Sequence, residues 1–158
     1  MLRFGLGLAG LTILLDQLSK HWILELFQGR GPGERVELAP FLNLALTWNR
    51  GMSFGLFNGQ SALNTVVFTG LAAVVVVALV VWLRRADNAI VAAGIGLVIG
   101  GAIGNVVDRM RLGAVVDFLD FHLAGWHFYV FNLADSAISV GVGLMLLDSV
   151  LGRRAAPS

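Results

Sequence analysis

Four stretches of the chain are apolar enough and long enough to cross a membrane as helices. They run from about residue 4 to 24, 61 to 83, 88 to 107 and 128 to 147. A hydrocarbon core about 30 Å thick requires about 20 helical residues. Only the first and fourth stretches contain charged residues. The pattern predicts an all-α membrane protein with four transmembrane helices.

Two of the segments that connect the spans predict a small β-rich cap. One lies between the first and second spans, and the other lies between the third and fourth. Residues 25–60 contain two runs that alternate partly between apolar and polar side chains, Val36-Glu37-Leu38 and 41–48, and residues 108–127 contain a further extended piece over 114–121. Such runs are typical of short strands. Short arginine-containing segments at both termini and at 84–87 share the other face, so the positive-inside rule favours cytoplasmic termini and an extracytoplasmic cap.

The composition narrows the classes of function. Hydrophobic residues make up 57% of the 158 residues and charged residues 13%, about half the charged fraction of a soluble domain. The chain has no cysteine, which excludes disulfides, thiolate metal sites and a cysteine nucleophile. Its net charge of +1 argues against a nucleic-acid partner. The three histidines form no compact metal pattern, so we expect neither a metal ion nor a cofactor.

Two charged residues interrupt the first span. Asp16 and Lys20 are four positions apart, which places them on one helix face as a favourable pair. One interpretation is a structural ion pair that fixes the helix. The other is that Lys20 acts as a catalytic base for Ser19, although adjacent residues point away from each other on a helix.

The third span ends in a polar patch. Asn105, Asp108 and Arg109 share a face at helical spacing. They either form a salt-bridged helix end or hold a peptide backbone, since Asn offers a donor and an acceptor and Arg a planar fork of donors. Upstream of the patch, glycine recurs at every fourth position, which indicates close helix packing: Gly96, Gly100 and Gly104.

The fourth span carries a carboxylate that needs a partner. Asn132 and Asp135 lie three residues apart near its outer end, and the nearest acids on that side are Asp117, Asp120 and Asp108. Two carboxylates in contact share a proton, because both cannot ionise. One then activates water and the other protonates the leaving amine, which is the chemistry of peptide hydrolysis without a covalent intermediate.

Other classes of function are weaker. Residues 51–55 match the nucleophile-elbow pattern G-x-S-x-G around Ser53, but that motif needs an α/β sheet for which the chain has no room. Pairing Ser53 with His122 or His127 is disfavoured because neither histidine lies in a span. The main rival is a small proton-coupled transporter or channel that uses Asp135 as a relay.

Five motifs occur in order along the chain: Asp16-Gln17-Leu18-Ser19-Lys20, Asn49-Arg50-Gly51, Gly104-Asn105-Val106-Val107-Asp108-Arg109, Val116-Asp117-Phe118 and Phe131-Asn132-Leu133-Ala134-Asp135-Ser136. Together they resemble the bacterial lipoprotein signal peptidases, the type II signal peptidases. The resemblance covers positions 16 to 136, nearly the whole chain.

The resemblance implies an aspartyl endopeptidase of the bacterial cytoplasmic membrane, with four helices and a β-cradle on the outer face. It implies cleavage of a prolipoprotein just before its lipid-modified cysteine, with Asp117 and Asp135 as the catalytic pair. The family's supporting residues fall on Asn49, Gly51, Asn105, Asp108, Arg109, Asn132 and Ala134, together with Asp16 and Lys20. Met52 and Ser53 depart from the pattern, because the family usually has two small residues there.

We expect Arg109 and Asn49 to hold the substrate main chain, and Asn105 and Asn132 to orient the two carboxylates. Asp16 and Lys20 are expected to be scaffold. The implied partners are a diacylglyceryl-modified prolipoprotein and the surrounding membrane lipids, with no nucleic acid. We expect the protein to act as a monomer.

Overall fold

The computed structural model describes residues 1–51 and 61–154. In these ranges it contains four helices and four strands. The helices are α1 (Leu2–Leu26), α2 (Ser61–Leu83), α3 (Ala89–Leu112) and α4 (Leu133–Arg154). The strands are β1 (Arg35–Ala39), β2 (Leu42–Asn49), β3 (Val115–Leu123) and β4 (Trp126–His127). The interpretation of Met52 and Ser53 lies outside the described residues.

Three helices in the described ranges are long and apolar enough to cross a membrane, at Thr65–Leu83, Ala89–Leu112 and Leu133–Leu151. Helix α1, with 25 residues, has the length but is not among these three. It contains both Asp16 and Lys20. Length and composition therefore support three of the four predicted spans.

Helix α3 extends beyond the predicted end of the third span at Val107. Arg109 and Arg111 occupy its last turn, where the partial negative charge of the helix C-terminus stabilises cations. Gly113 then ends the helix at φ +72°, and its N–H donates to the Arg109 carbonyl. Residues 108–112, predicted to belong to the cap, are thus helical, because favourable end charges prolong a helix beyond its apolar section.

Helix α4 begins at Leu133, later than the predicted start of the fourth span at residue 128. Phe131 instead forms an antiparallel bridge with Leu119 of β3, donating to its carbonyl at 3.2 Å and accepting from its N–H at 2.8 Å. The prediction failed because residues 128–131 are as apolar as the helix that follows them, so hydropathy cannot separate the two.

Helix α3 lies at the centre of the bundle and packs against the other three helices. Its repeated glycines face α1, which confirms the close helix packing that their spacing predicted; the partner helix was not predicted. A Cβ at Gly96 would meet the Gly5 carbonyl, one at Gly100 the Thr12 side chain, and one at Gly104 the Asp16 carboxylate. Glycine lets the two helices approach closely enough for their polar side chains to bond.

We expect Gly104→Ala to destabilise the protein by about 1–3 kcal/mol, the usual cost of overpacking a tight interface. The Asp16 carboxylate that the new methyl would meet is held by Lys20 at 2.8 Å and cannot retreat. Gly10→Ala is the matched control, because a Cβ there meets no atom within 4 Å. Thermal unfolding in detergent measures both, and an equal unfolding temperature for the two variants would contradict this packing.

The four strands form one antiparallel sheet in the order β1-β2-β3-β4. β1, β2 and β3 cover the three extended pieces that the alternation predicted, whereas the two-residue β4 was not predicted. The sheet packs on the end of α1 through one cluster of buried apolar side chains: Ile23, Phe27, Leu44, Val116 and Phe118. This packing fixes the start of β3, which carries Asp117, above the helix ends.

Candidate active site

Asp117 is a buried carboxylate of the cap. It lies in β3 and is 1% exposed. Its Oδ1 accepts a hydrogen bond from the Asn132 amide at 2.7 Å, and its Oδ2 accepts one from the Asn49 amide at 3.0 Å. The Asn49 side-chain oxygen in turn accepts from the Gly51 N–H at 3.0 Å. Asn49, expected to hold the substrate, therefore orients a carboxylate.

Gly51 must be glycine for two reasons. Its φ of +100° lies in the left-handed region, which side chains disfavour. A Cβ there would also collide with the ring of Phe68 on α2. The turn after β2 thereby brings the cap against the helices at Asp117.

Asn132 and Asp135 form a reciprocal cap at the start of α4. The Asn132 side-chain oxygen accepts from the Asp135 N–H at 2.9 Å, and the Asp135 carboxylate accepts from the Asn132 N–H at 3.3 Å. This is the geometry of a capping box. The spacing Asn-x-x-Asp is the signal that would have predicted the helix start at Leu133. Asn132 therefore bonds to Asp117 and Asp135 at once.

Asn105 connects Asp135 to the interior of the bundle. Its amide N–H donates to Asp135 Oδ1 at 2.8 Å, while its oxygen accepts from Asn132 and from Lys20, each at 3.1 Å. Asn105 and Asn132 thus contact the two carboxylates directly, in the arrangement predicted for residues that orient them.

Lys20 joins three elements through one buried ammonium group. Its Nζ lies 2.8 Å from Asp16 Oδ2 and 2.8 Å from Asp108 Oδ2, and 3.1 Å from the Asn105 oxygen. The ammonium group hydrogen-bonds to Asp16 and Asn105 and forms ion pairs with both Asp16 and Asp108. The Asp16–Lys20 pair has the predicted geometry, whereas the Lys20–Asp108 pair was missed. A lysine held in this way is poorly placed to act as a base for Ser19.

The two acids bound to Lys20 also hold backbone groups. Asp16 Oδ1 accepts from the Ala134 N–H of α4 at 3.0 Å, and Asp108 Oδ2 accepts from the Val116 N–H of β3 at 3.1 Å. Gln17, which the sequence interpretation did not single out, donates to Asp108 at 2.9 Å. Its place inside the Asp16–Lys20 motif was the available signal.

The Arg109 side chain extends from this network toward α2. Its guanidinium carbon lies 5.1 Å from the centre of the Phe68 ring, and one terminal nitrogen donates to the Asn105 carbonyl at 3.4 Å. Its Nε is buried with no hydrogen-bond partner among the described residues. Arg109 thus retains donors for a further group.

Hydrogen bonds and the Lys20–Asp108 ion pair connect the eleven residues that the family resemblance implied. A cavity of about 470 Å³ opens beside Asp117. Its lining includes Thr47, Trp48, Asn49, Arg50, Gly51, Asp117, Phe128, Tyr129 and Val130. Over residues 1–51 and 61–154, no three His, Asp or Glu side chains are grouped so that they could hold a metal ion.

Burial raises the pKa of Asp117 from 3.8 to about 6, and the nearby charge of Asp135 adds to the rise. Hydrogen bonds from Asn49 and Asn132 and the charge of Lys20 lower this pKa but do not offset the burial. Asp117 can therefore take up and release a proton near neutral pH, as a general acid or base must.

The raised pKa of Asp117 also predicts how stability depends on pH. The folded state binds this proton more tightly than the unfolded chain, so the stabilisation is complete below about pH 4 and is lost as the pH rises through about 6. We expect wild type to lose about 3 kcal/mol over this window relative to Asp117→Asn. Thermal unfolding of both proteins from pH 4 to 8 measures the difference.

Asp87→Asn is the control for this measurement, since Asp87 is exposed in the turn between α2 and α3. Its unfolding temperature should follow that of wild type at every pH. Parallel curves for wild type and Asp117→Asn would contradict the raised pKa.

Residues 8–151 match the family model of signal peptidase (SPase) II. The chain belongs to the signal peptidase II family. The lipoprotein signal peptidase of Rhodopseudomonas palustris is 44% identical over 158 residues, which cover 98% of this chain and 96% of that protein. The lipoprotein signal peptidase of Caulobacter vibrioides is 48% identical over 147 residues, which cover 92% and 85%.

The peptidase also resembles two solved structures of a bacterial membrane enzyme, determined by the in meso method at 2.3 and 1.9 Å resolution. Each has a TM-score of 0.76 and 30% sequence identity, and they cover 96% and 90% of this chain and 89% and 90% of their own. The protein is therefore an aspartic-type membrane peptidase that cleaves the signal peptide of lipoproteins, as the five motifs predicted.

Proposed function

We propose that Asp117 and Asp135 are the catalytic pair of this peptidase, and that they activate water for cleavage just before the diacylglyceryl-modified cysteine of a prolipoprotein. One observation carries the assignment. Asn132 donates to Asp117 at 2.7 Å and forms a reciprocal cap with Asp135, so a single residue sets the positions of both carboxylates.

We assign the proton that the two carboxylates share to Asp117. Its burial raises its pKa to about 6. Asp135 lies in the first turn of α4 and accepts hydrogen bonds from the Asn105 amide and the Asn132 N–H. We therefore assign Asp117 the role of the acid and Asp135 the role of the base.

In the proposed reaction, Asp135 takes a proton from water while protonated Asp117 donates a hydrogen bond to the scissile carbonyl. The water oxygen bonds to the carbonyl carbon, and the proton of Asp117 moves to the carbonyl oxygen to form a gem-diol. Asp135 then gives its proton to the leaving nitrogen as the C–N bond breaks. One hydroxyl returns a proton to Asp117, which restores the starting state.

We assign to Arg109 the role of binding the substrate main chain. Its Nε has no protein partner among the described residues, and its contact with Phe68 holds the guanidinium on the side of α3 that faces α2. Peptide carbonyls are suitable acceptors for its remaining donors. The cavity beside Asp117 would take the chain on the side of the cap.

We further propose that α1 is a fourth span, that both termini are cytoplasmic and that the pair acts at the outer face of the bacterial cytoplasmic membrane. Helix α1 has 25 residues, enough for about 37 Å at the rise of an α-helix. Its charged residues Asp16 and Lys20 are buried against α3 rather than exposed to lipid. A lipid-anchored substrate could then approach sideways within the bilayer.

The experiment is an incubation of the purified enzyme with a precursor that carries diacylglyceryl-cysteine, alongside the same precursor without the lipid. We expect a gel shift for the lipid-modified precursor alone, and mass spectrometry should place the cut before the modified cysteine. Cleavage of both precursors would contradict the proposed substrate, and cleavage of neither would contradict the function. The alternative of a proton-coupled transporter predicts proton flux in liposomes instead.

A further inference from the structure

One buried carboxylate outside the proposed catalytic pair connects all four strands of the sheet. Asp120 lies in β3 and is fully buried. Its carboxylate lies 2.8 Å from His127 Nδ1 of β4 and forms an ion pair with Arg35 of β1, whose Nε lies 3.1 Å away. It also accepts a hydrogen bond from the Asn43 amide of β2 at the longer distance of 3.5 Å. Each of the other three strands therefore contributes one side chain to this single acid.

Arg35 also contacts His127. Its Nη1 lies 3.4 Å from His127 Nε2, while its Nε lies 3.1 Å from Asp120 Oδ2. Arg35, Asp120 and His127 therefore contact one another in a closed triangle.

The backbone pairing beside Asp117 is irregular, which makes this connection important. Leu44 of β2 pairs with Leu119, but the next pair is Thr47 with Asp117, so the register shifts between them. Such a bulge locally disrupts the ladder of hydrogen bonds. Asp120 lies just past this interruption, where it pairs with Asn43. Its side-chain contacts hold β3 next to the disrupted part of the ladder.

The same segment of β3 controls the start of α4. Leu119, next to Asp120, bonds to Phe131 through both backbone groups at 2.8 and 3.2 Å. Phe131 precedes Asn132, which donates to Asp117 at 2.7 Å. A displacement of β3 at Asp120 would therefore move Asp117 and, through Asn132, the capped end of α4.

We propose that Asp120 is a positioning residue of the peptidase: by joining β1, β2 and β4 to β3, it holds Asp117 at its working distance from Asn132 and Asp135. This inference rests on the proposed role of Asp117 and Asp135. Asp120 is fully buried and acts through the strand that it fixes. A misplacement of about 1 Å at a reacting group can lower a rate by about 100-fold.

The test compares Asp120→Ala and Asp120→Asn with Glu37→Gln, which changes an exposed carboxylate on β1 of the same sheet. We expect Asp120→Ala to lower kcat for the lipid-modified precursor by about 10–100-fold. Asp120→Asn keeps the shape and one acceptor oxygen, so it should recover part of this loss. Glu37→Gln should cleave like wild type.

The pH profile of kcat separates positioning from a loss of folded protein. If β3 moves, Asp117 becomes more hydrated and should lose its proton at a lower pH, so the profile of Asp120→Ala should shift toward acid. If the variant were only partly unfolded, the amplitude of its pH profile would fall without a shift along the pH axis. That result would overturn the inference, and so would an unchanged kcat. Failure of wild type to cleave would instead contradict the proposed function.

Discussion

Asp117→Asn and Asp135→Asn should each abolish cleavage of the lipid-modified precursor, with rates at least about 1,000-fold below wild type. Each replacement removes one of the two groups that move protons in the proposed reaction, and general acid–base catalysis contributes about 10²–10⁴-fold. Asparagine keeps the side-chain shape, so both variants should insert and fold. A gel-shift assay of precursor and product measures the result.

Asp148→Asn is the matched control for this experiment, because it makes the same change farther along α4. It should cleave at the rate of wild type. If either Asp117→Asn or Asp135→Asn, shown to be folded, retained more than about a tenth of the activity, the loss would be smaller than acid–base catalysis requires. The pair would then not be catalytic.

Lys20→Met should have the largest effect on stability. It leaves Asp16 and Asp108, both buried, without the ammonium group that lies 2.8 Å from each. Removing one partner of a buried ion pair costs about 3–5 kcal/mol, a large part of the usual 5–15 kcal/mol of total stability. We expect a sharp drop in the yield of folded protein, measured by size-exclusion chromatography in detergent.

Glu25→Gln is the control for Lys20→Met, since the His21–Glu25 pair has the same spacing on the same helix but is exposed. It should leave the yield unchanged. Adding Asp16→Asn and Asp108→Asn to Lys20→Met removes the uncompensated charges and should restore part of the yield. A Lys20→Met protein that folds normally but cannot cleave would show that Lys20 takes part in the reaction.

Local patterns in the sequence predicted most of the scaffold. Hydropathy located α2 and α3, alternation located β2 and β3, and the glycine spacing identified a face of α3 that packs closely against another helix. Each of these features depends on residues that are close together in the chain, so the local sequence pattern is sufficient to predict it. The same local patterns placed the start of α4 too early, since hydropathy does not register the cap formed by Asn132 and Asp135.

The sequence by itself determined that this is a membrane protein, because few charges are present in a largely apolar chain, and its five motifs carried the resemblance to the signal peptidase II family. Only the tertiary structure decided how those charges are paired. Lys20 reaches Asp108 on another helix, Asn132 joins Asp117 to Asp135, and Asp120 joins four strands. Such contacts join residues up to 118 positions apart in the chain, and only the packing of helices and sheet brings these groups within hydrogen-bond distance.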